Sequence, residues 1–219
     1  TIDGKIATRT GESKWISSPA SRRHVHRLRA RVDVVLTGIG TVLADDPALT
    51  ARQTRVRRVA RRVIIDPRLI TPHTAKLITS IPEAPVSIVH DEHLTGSEAA
   101  RDMAALGADL LPFPLTGDRF DLAPVLALIR HAYSASTVLV EAGPRLLGSL
   151  LQADLVDEAH VYIAPRVVGD ELAPSAASGI RPPSLQSALA LELFHHRRVG
   201  PDIRLEYRRN TSNPPSTLS

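Results

Sequence analysis

The sequence contains no cysteine, which excludes disulfide bonds, thiolate metal sites and a cysteine nucleophile. We take a reducing cytoplasm as the expected location. Aromatic residues make up only 3% of the chain, which leaves too few flat side chains for the base-stacking platforms of single-stranded nucleic-acid binders. Long apolar runs are missing as well, since no stretch approaches the ~18 apolar residues that span a bilayer. The composition therefore predicts a soluble protein that binds neither nucleic acid nor membrane.

Charge is nearly balanced, because 27 Lys and Arg residues face 23 Asp and Glu residues and give a net charge of +4. Such a mild excess suits a phosphorylated ligand or simple solubility. The length of 219 residues fits one large α/β domain. We predict that domain over residues 1–209 and an unstructured polar tail over residues 210–219. Residue 1 is Thr and residues 1–7 already have the pattern of a strand, so we expect a further segment upstream.

Strands and helices alternate along the chain, which is typical of a mostly parallel sheet covered by helices on both faces. A helix is predicted to begin at Ser18 and Pro19, where a hydroxyl cap precedes a proline. The predicted strands are residues 32–37, 63–65, 86–89, 109–113, 137–141 and 160–164, and further helices are expected at residues 42–45, 97–106 and 122–133. Residues 189–199 and 203–207 are predicted to close the fold as an antiparallel hairpin.

A glycine-rich turn formed by Gly38, Gly40 and Thr41 directly follows the first buried strand. Backbone N–H groups in such a turn can approach an anion such as a phosphate. The spacing is not that of the G-x-G-x-x-G dinucleotide motif, because Val42 and Leu43 occupy its last positions. A plain tight turn between strand and helix therefore stays open as an alternative.

A second turn of small residues follows Glu141, at Ala142-Gly143-Pro144. Because the carboxyl ends of parallel strands share one sheet edge, where ligands of α/β folds gather, a nucleotide could bridge the two turns. Glu141 could equally cap its own helix.

Several basic residues are candidates for phosphate binding. The guanidinium groups of Arg29 and Arg52 match phosphate oxygens, although solvated surface positions are the alternative. The basic run over residues 55–62 could meet the 2′-phosphate of NADP or keep a loop soluble, and we favour the loop. Trp15, the single tryptophan, could be a core residue. None of the nine histidines belongs to an H-E-x-x-H or comparable set, so no metal is predicted.

Taken together, ordered segments of the chain resemble the reductase domain of the riboflavin-biosynthesis deaminase–reductase family, which has a dihydrofolate-reductase-like α/β fold. The matching segments are residues 2–7, 11–16, 27–30, 38–42, 45–50, 140–143 and 155–158. The resemblance implies a mostly parallel central sheet flanked by helices, with the C-terminal antiparallel hairpin. It also implies reduction of 5-amino-6-(5-phosphoribosylamino)uracil by NADPH, with hydride delivered to C1′ of the ribose.

The same resemblance implies roles for individual residues. NADPH would contact Trp15, Thr41, Asp45 and the turn at Gly143, besides the turn that holds Gly38 and Gly40. The phosphorylated pyrimidine substrate would face Ser13, Arg29, Leu49, Arg52 and Glu141. Asp45 or Glu141 is nominated as the proton donor.

Two departures from the family pattern concern the cofactor site and the beginning of the chain. Pro67 follows Asp66 where the family often has serine, which puts the adenosine-side contact in question. The family's first strand begins before Thr1, so we expect part of the pocket upstream. The family further implies a homodimer and a covalently linked upstream deaminase domain, whose P-C-x-x-C zinc motif this chain lacks.

Two other functions are weighed against this one. A different dihydrofolate-reductase-like reductase would act on a 2,5-diamino-6-ribosylamino-pyrimidinone or a pterin, and a pterin has no ribose phosphate for arginines to bind. A non-enzymatic basic module that binds nucleic acid would lose affinity steeply with salt. The scarcity of aromatic residues argues against that module.

Overall fold

The computed structural model describes residues 1–209 and divides the chain into two compact units. One unit combines Thr1–Arg22 with the chain from Leu147 onward, and the other is Arg23–Leu146. The expected tail at residues 210–219 lies outside the described residues. A single domain over residues 1–209 stays a prediction. Within the described residues, no helix has both the length and the apolar character needed to cross a membrane.

The unit Arg23–Leu146 is built on a five-stranded sheet in the order β4-β3-β2-β1-β5. All four strand pairs are parallel, as the alternation of strands and helices predicts. The strands are β1 (Val34–Gly38), β2 (Arg61–Ile65), β3 (Val86–Asp91), β4 (Asp109–Phe113) and β5 (Val138–Val140). The β-branched runs in β1, β2 and β3 are buried on both faces, which favours this central position.

Helices of the same unit cover both faces of this sheet. Alternate strand residues separate the core, with Val35 and Ile64 in one cluster and Leu36 and Val63 in the other. The first cluster includes residues of α2 (Ile39–Asp45), α3 (Lys76–Thr79) and α4 (Glu98–Ala105), and the second includes residues of α5 (Leu122–Tyr133). The expected fold class, with helices on both sides of a mostly parallel sheet, is confirmed.

Arg62 corrects the prediction for the basic run at residues 55–62. Arg61 and Arg62 belong to β2 rather than to a soluble loop, and Arg62 is fully buried. Its guanidinium donates to the carbonyls of Ala48 and Ser80, at 3.0 and 2.9 Å, and to the carbonyl of Ala84. Burial lowers the pKa of Arg62 to about 10. Backbone carbonyls make burial of this long side chain possible because they satisfy most of its donors.

The other unit contains a three-stranded antiparallel sheet in the order β6-β8-β7. Its strands are β6 (Glu158–Ile163), β7 (Leu191–Val199) and β8 (Asp202–Arg209), and the last two form the predicted hairpin around Gly200. Gly200 has a φ of 64°, which a turn glycine adopts without strain. Two helices, α1 (Pro19–Arg29) and α6 (Pro144–Gln152), each contain residues of both units.

A buried carboxylate links the start of α1 to the start of β8. Asp202 is 1% exposed and accepts from the Ser18 N–H at 2.8 Å and from the Ser21 hydroxyl at 2.5 Å. The Ser18 hydroxyl in turn accepts from the Ser21 N–H at 3.3 Å, as the predicted helix cap requires. The serine before Pro19 therefore both caps the helix and joins it to the hairpin.

The first residues do not form the strand that their pattern predicts. Lys5 forms an isolated bridge to Ser175, and the N–H groups of Ile2 and Ile6 donate to the carbonyls of Arg166 and Pro174 at 2.8 and 3.0 Å, but these contacts do not make a strand. Gly4 has a φ of 74°, and the Thr1 hydroxyl donates to the Lys5 carbonyl at 2.8 Å while accepting from the Lys5 N–H at 2.7 Å. This local turn uses backbone groups that a strand ladder would need.

No helix or strand is present between Ile163 and Leu191 within the described chain. This long segment nevertheless passes very close to α6. A β-carbon placed on Gly148 would overlap the carbonyl oxygen of Ser178. The approach of the two backbones therefore requires glycine at position 148.

Candidate functional site

The two predicted glycine turns lie side by side at the carboxyl ends of β1 and β5. The first differs from the prediction, because α2 begins at Ile39 instead of residue 42 and the glycine-rich stretch forms its first turn. Gly38 is the extended N-cap, with a φ of −106°, and no side chain caps the helix. The Thr41 hydroxyl accepts a 2.8 Å hydrogen bond from the Gly143 N–H, which joins the two turns.

The three glycines of these turns differ in how much room they leave. A β-carbon on Gly38 would lie 3.4 Å from Leu146 Cδ2, and one on Gly143 would lie 3.5 Å from Thr41 Oγ1. A β-carbon on Gly40 would meet no atom within 4 Å. The first turn of α2 is therefore open at Gly40, whereas Gly143 has already given its N–H to Thr41.

Arg29 and Glu141, both predicted to face the substrate, form an ion pair. Nε and Nη2 of Arg29 donate to the two oxygens of Glu141, each at 2.6 Å. The Nη1 group of Arg29 donates to the carbonyl of Thr50 at 3.1 Å. Only 12% of the Arg29 side chain and 23% of the Glu141 side chain are exposed. Glu141 thus holds the flat edge of the guanidinium that a phosphate would otherwise use.

The loop after α2 brings Leu49 into the core. Leu49 is 4% exposed and belongs to the core cluster that includes Val42 and Leu77. Its φ of 52° is unusual for leucine. The predicted contact of Leu49 with the substrate stays a prediction, and a contact through its backbone would be compatible with this burial.

Sequence reasoning did not assign His26, which lies one helical turn before Arg29 on α1. Its Nδ1 is 3.2 Å from the Thr50 carbonyl and 3.3 Å from the Arg52 N–H. Burial lowers the pKa of His26, and the positive charges of Arg29 and Arg52 add to this effect. Neutral His26 can accept the Arg52 N–H at Nδ1. The spacing of three residues places His26 and Arg29 on one face of α1, and this spacing is the sequence signal that could have identified His26 as a neighbour of the site.

Arg52 and Asp45 complete the group of predicted residues in this unit. Arg52 is exposed, and no partner of its guanidinium is recorded within residues 1–209. Asp45 is half-buried at the last residue of α2. The next residue, Asp46, ends the helix in the left-handed conformation and accepts from the Lys76 N–H at 2.8 Å.

Ser13 and Trp15 belong to the other unit, in the segment before α1. Trp15 is not a core residue, because 63% of it is exposed. The Arg22 guanidinium lies 4.2 Å from the centroid of its ring. This cation–π contact holds a large flat side chain at the surface. Ser13 is half-buried and accepts a hydrogen bond from the Ile16 N–H at its carbonyl.

Comparisons with known proteins identify the family. Residues 1–205 match the family described as RibD C-terminal domain. The riboflavin biosynthesis protein RibD of Bacillus amyloliquefaciens is 36% identical over 93% of this chain, which spans 54% of that protein. A 2,5-diamino-6-ribosylamino-4(3H)-pyrimidinone 5′-phosphate reductase of Methanothermobacter thermautotrophicus is 34% identical over 94% of this chain and 93% of its own length.

Solved structures agree with the sequence comparisons. RibD of Acinetobacter baumannii superposes with a TM-score of 0.82 and 30% identity, over 96% of this chain and 56% of that one. This chain therefore spans about half the length of the RibD proteins that it matches. The described residues include no group of three His, Asp or Glu side chains placed to hold a metal ion. The resemblance drawn from the sequence is confirmed, and the chain belongs to the family of RibD C-terminal domains.

Proposed function

We propose that this domain reduces the ribosyl group of 5-amino-6-(5-phosphoribosylamino)uracil to the ribitylamino product, with NADPH as the reductant. The observation that carries the assignment as a reductase is the match to the reductase of Methanothermobacter thermautotrophicus, because this chain covers 93% of that protein. A reductase of the same family therefore consists of little more than the part that the two chains share. The α/β fold and the two adjacent glycine turns suit a dinucleotide and a second ligand at one sheet edge.

NADPH supplies the hydride when it is bound, and the net reaction also takes up one proton. The open helix start at Gly40 and the hydroxyl of Thr41 would hold the cofactor. Thr41 uses its oxygen to accept the Gly143 N–H, so its own proton can be donated to a ligand. The exposed ring of Trp15 is the further cofactor contact that we propose.

Arg52 is the arginine that we propose binds the substrate phosphate. Its guanidinium is exposed, and its backbone N–H is held by His26 at 3.3 Å. Arg29 has a different role in this proposal, because Glu141 and the Thr50 carbonyl already occupy three of its donors. The Arg29–Glu141 pair therefore positions the backbone of Thr50, two residues before Arg52, and Ser13 is proposed as an additional substrate contact.

The relative from Methanothermobacter thermautotrophicus favours a second substrate of the same class. Its name specifies the 2,5-diamino-6-ribosylamino-pyrimidinone 5′-phosphate, which differs from the uracil on the base. Both substrates carry the ribose 5′-phosphate that Arg52 would bind. The choice between them depends on the base, and both belong in the assay.

The test is NADPH oxidation, followed by absorbance, with the phosphoribosylaminouracil, the diamino-pyrimidinone phosphate and dihydrofolate offered in parallel. We expect turnover of a phosphorylated ribosylamino-pyrimidine and none of dihydrofolate. Arg52→Ala should raise the KM for the phosphorylated substrate about tenfold or more, since a charge-assisted hydrogen bond contributes ~1.5–3 kcal/mol. Arg130→Ala, which removes an exposed arginine of α5, is the matched control. Turnover of dihydrofolate alone would overturn the proposal.

The full protein that contains this domain is proposed to carry a deaminase domain as well. The support is the coverage, since the chain spans 54% of the Bacillus RibD protein. A solved relative from Thermotoga maritima is named as a deaminase joined to a 5-amino-6-(5-phosphoribosylamino)uracil reductase.

We also propose that the domain forms a homodimer through one face of the three-stranded sheet. Val161 pairs with Leu205, and Leu193 pairs with Tyr207, so these side chains share a face with Ile203. Val161, Leu193 and Ile203 are 40%, 47% and 48% exposed. His196 and Arg198 of β7 lie on the same face, opposite Leu205 and Ile203, so the apolar part of the face is formed mainly by β6 and β8. Apolar side chains with this exposure support a protein contact.

A further inference from the structure

A pocket of about 200 Å³ is lined almost entirely by arginines. Its lining residues, which we call the arginine pocket, are Arg27, Arg31, Thr54, Arg55 and Arg57. They come from the end of α1 and from the loop before β2. The Arg57 N–H donates to the Ala30 carbonyl at 3.3 Å, so a backbone hydrogen bond joins the two segments that form the pocket.

The charge of the arginine pocket is not balanced by the described part of the chain. Other arginines near these segments have carboxylate partners: Arg29 pairs with Glu141, Arg58 with Asp33, and Arg61 with Asp109. Among residues 1–209, no ion pair is recorded for any of the four arginines that line the pocket. Four like charges around one small cavity repel each other and create a positive potential there.

The C-terminal end of α1 stabilises only part of the positive charge in the arginine pocket. Cations at a helix C-terminus are stabilised by the helix dipole, which favours Arg27 and the following Arg31. Arg55 and Arg57 lie in the loop before β2, and the partial negative charge of one helix end offsets only part of four positive charges. An anion with more than one negative charge would balance all four guanidinium groups, whose planar donors match phosphate oxygens.

The arginine pocket is separate from the site of the proposed reaction. Arg31 precedes the amino end of β1 and Arg57 precedes the amino end of β2, and these ends are paired at Val34 and Arg61. The glycine turns follow the carboxyl ends of β1 and β5. Arg27 and Arg29, two residues apart on a helix, point to nearly opposite sides of α1. The pocket therefore does not overlap the Arg29–Glu141 pair.

We propose that the arginine pocket binds a small diphosphate-bearing anion, a ligand beyond the substrate and cofactor of the proposed reaction. Its size suits a compact group rather than a polymer, and none of the lining side chains is aromatic, as a base-stacking surface would require. The diphosphate could be inorganic or belong to a nucleotide.

Calorimetric titration of the protein with inorganic diphosphate and with ADP, at low ionic strength and without metal ions, tests this proposal. We expect diphosphate to bind, and Arg27→Gln/Arg57→Gln to weaken it at least tenfold. Equal affinities for diphosphate and ADP would identify the inorganic anion as sufficient, and tighter ADP binding would identify a nucleotide. Arg130→Gln should bind as the unchanged protein does.

Two further variants distinguish a loss of anion binding from a loss of folding and from an effect on the proposed reaction. Arg31→Gln/Arg55→Gln should weaken binding in the same way, and circular dichroism should show all variants folded because these arginines are exposed. Arg52→Gln should leave diphosphate binding unchanged. Loss of binding in Arg52→Gln, or full binding in both double variants, would place the anion elsewhere and overturn the proposal.

Discussion

Asp45 and Glu141 are the two carboxylates nominated for proton transfer, and their surroundings differ. Both oxygens of Glu141 accept hydrogen bonds from Arg29, which commits this side chain to holding the guanidinium. Asp45 is half-buried at the end of α2, close in sequence to the loop that carries Arg52. These contacts favour a positioning role for Glu141, and Asp45 stays the nominated proton donor.

The contrast predicts different kinetic effects for two isosteric changes. Asp45→Asn should lower kcat by about 100-fold, the lower range for loss of a general acid, and should leave NADPH affinity nearly unchanged. Glu141→Gln should act mainly on the substrate KM, since it loosens Arg29 and the Thr50 carbonyl. Steady-state kinetics and NADPH titration by fluorescence measure the two effects. Equal losses of kcat and NADPH affinity in Asp45→Asn would refute a proton-transfer role.

Residue types singled out Arg29, Glu141 and the turn that contains Thr41, and the family resemblance gave them their expected roles. The structure brings each of them to a partner from the same set or its loop. Their roles in binding and catalysis stay predictions. The sequence could not show that Arg29 and Glu141 bind each other, because 112 residues separate them. The burial of Leu49 and Arg62 could not be predicted from the sequence either. The positive φ of Leu49 and the buried guanidinium of Arg62 both depend on tertiary contacts.

At the scale of the elements, the contact between α1 and β8 contains one buried carboxylate, that of Asp202. Burial by itself raises the pKa of Asp202, but hydrogen bonds from the Ser21 hydroxyl and the Ser18 N–H outweigh it, and the net pKa is lowered. A carboxyl whose pKa is lower in the folded state stabilises the protein above its unfolded pKa of about 3.9. This stabilisation is lost as the pH falls through the folded value.

Asp202→Asn should therefore lower the melting temperature at neutral pH and remove part of the decrease seen below about pH 4. Thermal unfolding across this pH range measures both effects. Asp118→Asn is the control, because its carboxylate side chain is 92% exposed. An Asp202→Asn protein with the melting curve of the original chain at every pH would contradict the structural role.

Periodicity predicted the elements well where apolar runs were clear, as in β1 to β4 and in α5. The observed boundaries of elements differ from the predicted ones where local hydrogen bonds determine the backbone conformation. The stretch after Gly38 forms the first turn of α2 instead of a separate loop. Residues 1–7 form a turn because the Thr1 hydroxyl makes hydrogen bonds with the backbone of Lys5.

At the scale of the whole molecule, the exposed sheet face predicts association. Val161→Glu should convert a homodimer to a monomer, because burying a charge within an apolar interface is costly. Light scattering after size-exclusion chromatography gives the mass, with Val167→Glu as the control on an apolar residue outside the sheet that is 67% exposed. A monomeric original chain, or an intact Val161→Glu dimer, would rule out this face as the interface.

Whole-molecule features were the least accessible to the sequence. The α/β class and the family resemblance followed from ordered motifs and are confirmed, whereas the division into two units was not foreseen. The second unit is formed by segments from both ends of the chain, and periodicity carries no information on which distant segments pack together. Cytoplasmic location and the homodimer stay predictions.

The crossing of Gly148 and Ser178 limits how this protein can vary among related organisms. The stretch that contains Ser178 forms no helix or strand between Ile163 and Leu191, and the first residues of the chain hold it through its backbone carbonyls and N–H groups. Because such contacts do not depend on side chains, we expect its sequence to vary over most of its length. At the crossing, however, even alanine would displace the main chain. A related protein with another residue at position 148 should therefore also have a different backbone path near position 178, so that the two changes occur together.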